Sequence, residues 1–229
     1  MTRWLAAAVV VVSSACVRNV RPDGDSTSGP PSVEFDPVVI TGDLELEKLN
    51  DEELFAAATS FYAAEDFAQA ARYFGRLADF FTKSRHRRAA LYNAGLSLEK
   101  VKMWEEAYQR FSELSDPQKG TGDALDAAFR VAETLYHLER FDDAIAVLSV
   151  IASRSDLHID KIIEAKTQQG VCELESGKSD VAESTLRKVL TMYQEAPDKD
   201  VLDDYFPAQA QFFLGEIFRL HYESITLDA

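Results

Sequence analysis

Between residues 61 and 151 the sequence repeats itself. Three segments superpose: "FYAAEDFAQAARYFGRL" (61–77), "LSLEKVKMWEEAYQRFSEL" (96–114) and "TLYHLERFDDAIAVLSVI" (134–151). Each ends a helical pattern, makes a short polar turn, then places an aromatic residue, an alanine three later and a large apolar residue four beyond that. The anchors are Phe67, Ala70 and Phe74; Trp104, Ala107 and Phe111; Phe141, Ala144 and Leu148. The alanines stand 37 residues apart (70, 107, 144), and a fourth copy in "ESGKSDVAESTLRKVL" puts Ala182 another 38 along. A period of this length marks stacked helical units, none of which can bury its apolar face alone.

A second recurrence lies in the helix before each anchor set, where a small residue returns as Ala58, Gly95, Ala132 and Gly170, and again as Gly215. Glycine inside a helix costs about 1 kcal/mol relative to alanine, so its use at Gly95 needs a reason. Two antiparallel helices approach closely only where one of them nearly lacks a side chain. The small residue is therefore expected to face the alanine or aromatic of the second helix. The pattern predicts helix pairs over about 51–64 with 67–80, 88–101 with 104–115, 124–138 with 141–153, and 160–175 with 179–193. Asn50 followed by Glu53 predicts a capping box at the start.

A ninth helix is expected from about 207 to 222. Its stretch "AQAQFFLGEIFRLHYESI" carries Phe212, Phe213, Leu214, Ile217, Phe218 and Leu220, too many apolar positions for one packed stripe. It reads as the first helix of a fifth unit with no second helix after it. Either the sequence is a fragment, or this surface packs against another molecule.

A hydrophobic fraction of 46 % with 10 Gly and 7 Pro agrees with an all-α globular chain. Small residue, aromatic, alanine and large apolar residue at these offsets resemble the tetratricopeptide repeat (TPR), whose usual period is about 34. The match is strong in the second and third units and weaker in the fourth, where Ser179 replaces the aromatic. The resemblance covers about residues 51–222. It implies an all-α, right-handed superhelix of antiparallel helix pairs, about four and a half repeats long, with the first helices lining the concave side.

The first residues stand apart from this pattern. "MTRWLAAAVVVVSSAC" has Arg3, then nine apolar residues from Trp4 to Val12, then small residues up to Cys16. Nine residues are too few to span a hydrocarbon core in a helix, and the pattern is that of a secretory signal. Small residues before a cysteine resemble a bacterial lipoprotein signal, which implies lipidation of Cys16. Ser13 stands where that motif usually has an aliphatic residue, so cleavage after Ala15 with Cys16 left as a thiol stays open. Residues 16–43, with "RPDGDSTSGPPS", read as a flexible lipid-anchored linker with a reach of about 30 Å. The organisation expected is a signal over 1–15, this tether, and the repeat domain over 44–229.

Secreted, lipid-tethered and built from lengthened repeats, the chain resembles the bacterial outer-membrane repeat lipoproteins. These include the assembly lipoprotein BamD, the pilotins of type IV pilus secretins and the TolA-binding proteins. The resemblance implies a place on the periplasmic face of the outer membrane, with soluble periplasmic or secreted forms as the alternative. The function it implies is a noncatalytic scaffold or adaptor in a cell-envelope machine. A chaperone-like receptor or pilotin for outer-membrane proteins is the alternative.

A formal charge of −15 disfavours nucleic acid and anionic lipid, leaving the anchor as the expected contact with membrane. No cofactor and no enzymatic chemistry are expected. "GTGDAL" (120–125) lacks the third glycine of a dinucleotide loop, and "GKS" (177–179) has Cys172 where a phosphate loop needs glycine. His86, His137, His158 and His221 have no partner at metal-ligand spacing. Cys172 falls among core positions of a helix and is expected to act as a small hydrophobe.

The candidate interaction surface follows from the period. Steps of 37 from Phe55 reach Tyr92 and Phe129; Thr167 breaks the series and Phe212 resumes it. Seven residues beyond lie Tyr62, Glu99, Tyr136 and Leu174, with Asn93, Arg130, Glu133 and His137 as polar neighbours. A groove for a protein or peptide partner would use such rings as contact area and the polar groups for register. The alternative is that some rings fill space between units. One basic cluster, "KSRHRR" (83–88), reads as a solvated turn or as a dock for an acidic partner or lipid headgroup.

Overall fold

The structure, a computed structural model, describes residues 44–197 and 199–225. The expected signal, Cys16 and the tether lie outside the described residues. The α-helices in chain order are α1 (Leu44–Glu47), α2 (Asp51–Ala63), α3 (Phe67–Phe80), α4 (Arg87–Lys100), α5 (Trp104–Leu114), α6 (Asp123–His137), α7 (Phe141–Ala152), α8 (Ile159–Glu175), α9 (Ser179–Glu195) and α10 (Tyr205–Ser224). A 3-10 turn at Lys199–Val201 precedes α10. The eight paired helices and α10 are those expected from the repeat; α1 and the 3-10 turn carry no repeat signal and were not expected.

Each helix packs on its neighbours in sequence, and α8 also touches α10. The core is accordingly broken into three clusters along the stack. The expected small-residue crossing is present. A Cβ added to Gly95 would sit 2.6 Å from the Phe111 ring, and one added to Gly170 would sit 2.6 Å from Leu186. Ala58 and Ala132 occupy the same place in units one and three, both fully enclosed. The large residue of the second helix thus lies on bare backbone of the first, and dispersion contact replaces what a side chain would have supplied.

The turn inside each unit is also repeated, down to its hydrogen bonds. Glu65, Lys102, Glu139 and Gly177 all have positive φ, between 57° and 79°. The N–H of each donates to the carbonyl three residues back, and the next N–H donates to the carbonyl five back, as in Asp66 to Phe61 and Met103 to Leu98 at 2.9 Å. This is a Schellman termination built four times, and only the last copy has the glycine that left-handed backbone favours. At the start of α2 the capping box is complete, Asn50 and Glu53 each accepting from the other's N–H at 3.0 Å.

The basic cluster is largely solvated, as one expectation had it, Arg85 and Arg88 being 76 % and 58 % exposed, and it also makes ion pairs. Arg85 and His86 pair with Glu52 at 2.8 and 3.0 Å, Arg87 reaches Glu113 at 2.7 Å and the Ala78 carbonyl at 3.0 Å, and Arg88 meets Asp123 at 3.1 Å. His86 also stacks on Phe55, ring centroids 4.5 Å apart. These cations staple units one, two and three together. A second clamp is buried Arg154, which donates to the Gly120 carbonyl at 2.7 Å and to Asp156, fixing the loop between α5 and α6.

Gly95→Leu is expected to overpack the α4–α5 crossing and lower unfolding free energy by about 1–3 kcal/mol, measured by urea titration. Glu65→Gly, Lys102→Gly and Glu139→Gly should each raise it, by a few tenths to about 1 kcal/mol, by relieving left-handed backbone.

Candidate functional site

The first helices α6, α8 and α10 line an open pocket of about 380 Å³, with Leu148 of α7 also in its wall. Tyr136, Phe206, Phe213 and Val171 supply apolar wall, while Gln168 and Gln209 bring amides to it. Each helix contributes because the repeat turns the same face of every first helix the same way. Cys172 also lines it, 2 % exposed, with its thiol pushed up to about 12 by burial and then by Glu173 and Glu175. At neutral pH it is a protonated, apolar lining group rather than a nucleophile. Among the described residues no group of three or more His, Cys, Asp or Glu could hold a metal ion.

Glu133 links this pocket to a polar step between α4 and α6. Arg130 donates to Glu133 at 2.7 Å and stands 3.6 Å from Glu99, with the Tyr92 hydroxyl beside it. Glu99 is nearly enclosed, and its Oε1 is buried without a hydrogen-bond partner. Burial pushes the Glu99 carboxyl up to about 7; Arg130 pulls it back down, Glu133 raises it and Lys100 lowers it. An acidic pair sharing one arginine can exchange that arginine for a cation brought by another chain.

The aromatic series from the sequence does not form one exposed stripe. Phe55 packs edge-on against Phe74 and Tyr62 edge-on against Phe67, both half-buried in the first cluster. Tyr92 meets Phe111 edge-on at 5.6 Å, and Asn93, half-buried, accepts the Ser97 hydroxyl through its carbonyl. Phe129 is only 6 % exposed and belongs to the core. Tyr136 packs against Phe141 and lines the pocket. Phe212 is 62 % exposed on α10, touching Phe213. The structure thus brings Tyr92, Arg130 and Tyr136 towards one surface with Glu99, Glu133 and the pocket, and sets Phe212 apart. His137 stacks on Trp104 at 3.9 Å beside the same pocket.

Gln168, Phe206 and Gln209 escaped the sequence reading, whereas Phe213 stood among the excess apolar residues of α10. The longer connection before α10 breaks the 37-residue count for Phe206 and Gln209, while Gln168 lies one 38-residue step beyond Arg130. In α10 the excess of apolar residues was the one signal available.

No protein-family model and no curated protein matches the sequence. Among solved structures, the chain is similar to the TPR-like repeats of a putative kinesin light chain from Podosopora anserina. A form of that protein carrying one substitution has a TM-score of 0.54 and 10 % identity over 76 % of this chain and 87 % of that one. The form without the substitution gives 0.53 and the same identity and coverage. MamA from Desulfovibrio magneticus RS-1 gives 0.47 at 14 % identity, over 77 % of this chain and 97 % of that one. The kinesin light chain likeness is one of fold: this is an all-α, TPR-like repeat solenoid.

Between about pH 4.5 and 7 the folded chain keeps a proton on Glu99 that the unfolded chain has released, so stability falls as pH rises through that window. With screening by solvent the effect is about 1–2 kcal/mol. Glu99→Gln should remove it, seen as a smaller difference between urea midpoints at pH 5 and pH 8.

Proposed function

We propose that this protein is a noncatalytic adaptor of the cell envelope, tethered to the outer membrane by lipid on Cys16, that holds a polypeptide segment along its first helices. The observation that carries the reading is the pocket shared by α6, α8 and α10, continuous through Glu133 with the step at Glu99 and Arg130. Its volume of about 380 Å³ lies in the range that takes one or two side chains. Aromatic walls with two glutamines suit an apolar anchor whose flanking backbone is held by amides. Glu133, whose side chain is about half exposed, suits a lysine or arginine next to that anchor. A chain of formal charge −15 draws a basic segment towards this surface from solution. The outer face of α10 adds a second, apolar surface for a partner.

The test is photocrosslinking in the native host from positions 136 and 213, with and without Val171→Trp, which fills the pocket. The expected result is one stoichiometric partner, lost at least tenfold in the tryptophan variant while the melting temperature is kept. Undiminished capture by that variant would remove the pocket from the mechanism, and many outer-membrane clients in place of one would favour a chaperone-like receptor. The intact mass of the recovered protein reports acylation at Cys16; an unmodified thiol there ends the anchor proposal.

A further inference from the structure

Arg130 of α6 stands between two carboxylates in unlike surroundings. Its Nη1 donates to Glu133 at 2.7 Å and lies 3.6 Å from Glu99 of α4. Glu133 is about half exposed and lines the pocket, where it meets whatever enters. Glu99 is 11 % exposed, and its Oε1 is closed off from solvent without a hydrogen-bond partner. One carboxylate is within reach of an arriving charge, and the other is not.

Burial is the first cause that raises the Glu99 carboxyl to about 7, and few charges act on it besides. Arg130 of α6 lowers it, Glu133 of α6 raises it, and Lys100 of its own helix lowers it. Helices α3 and α5 also pack on α4, and among the described residues neither adds a charge to that set. With the proton on Glu99, Arg130 balances Glu133 and the three side chains carry no net charge. Without the proton they carry one negative charge, and Arg130 is shared between two carboxylates. A cation beside Glu133 is therefore drawn more strongly in the second state.

We propose that Glu99 regulates what the pocket holds: a cationic side chain docking on Glu133 frees Arg130 for Glu99, and Glu99 releases its proton to solvent in exchange. The Arg130–Glu133 ion pair gives way to one between the guest and Glu133. The O–H bond of Glu99 breaks, and an Arg130 N–H donates to the carboxylate left behind, the 3.6 Å gap closing to about 2.8 Å. One cation enters and one proton leaves, so the charge of the site is unchanged. This rests on the reading of the pocket as the holder of a polypeptide segment, and it makes basic segments bind more tightly as pH rises through neutrality. Below about pH 6 the guest has to displace the proton; above about pH 8 the proton is already gone and affinity levels off.

The probe is N-acetyl-phenylalanyl-arginine amide, an aromatic anchor beside one cation, with the citrulline analogue as its uncharged counterpart. Calorimetric titration should show the arginine probe binding about five- to tenfold more tightly at pH 8 than at pH 5, and the citrulline probe binding equally at both. In two pH 7 buffers of different ionisation heat, the arginine probe should release protons, fewer than one per site, and the citrulline probe none. Glu99→Gln keeps the shape of the side chain without its titration, and should bind the arginine probe at the weaker, pH 5 strength throughout. His137 lines the same pocket and is present in both proteins, so the difference between them reads Glu99. If Glu99→Gln loses its fold, the two probes on the natural chain carry the test. Equal affinity of the arginine probe at the two pH values, its failure to bind at pH 8, or a pH response kept in full by Glu99→Gln would each overturn the proposal. Val171→Trp separates this outcome from the pocket reading. Binding without pH dependence that the tryptophan abolishes keeps the pocket and removes only the coupling to Glu99, whereas capture undiminished by the tryptophan removes the pocket.

Discussion

Closing two helices over a missing side chain is the contact on which everything else in this molecule rests. At Gly95 and Gly170 the partner's ring or isobutyl group occupies space that a single methyl would fill. Without that approach the second helices would stand away from the first, and the spacing that aligns successive first helices would be lost. The pocket between α6, α8 and α10 exists because the same crossing is made repeatedly at nearly equal intervals. Helix propensity alone would have put alanine or leucine at these places; packing overrides it.

Much of the architecture was legible because that crossing leaves a periodic trace. Stepping by 37 residues located the helix pairs to within a residue or two at most ends, and Asn50 and Glu53 marked the entrance. The left-handed turn residues were not legible. Glu65, Lys102 and Glu139 carry no glycine to announce them, and only the repeat makes their shared conformation intelligible. The basic run at 83–88 was opaque for a different reason. Its partners Glu52, Glu113 and Asp123 come from three separate units, so nothing local in the sequence records the pairing.

The site divides along the same line. Tyr136, Arg130 and Glu133 could be placed on a common face from their spacing, and they do share one surface. Phe129 shows why an aromatic at a recurring position is an ambiguous sign: the same register that could expose a ring in one unit buries it where the neighbouring helices crowd in. Glu99 is the opposite case, an ordinary glutamate in sequence whose enclosure raises its carboxyl to about 7.

The one-sided support of α10 has a thermodynamic consequence. This helix is covered by α8 and α9 yet lies bare over Gly215, while its other residues Phe206, Gln209 and Phe213 form part of the pocket. Elements packed on one side open at lower free energy than those covered on both. A segment bound in the pocket would therefore be tied to the fraction of molecules with α10 seated. Linkage would make the relation mutual: such a segment would hold α10 in place by the same factor by which seating of α10 raises its affinity.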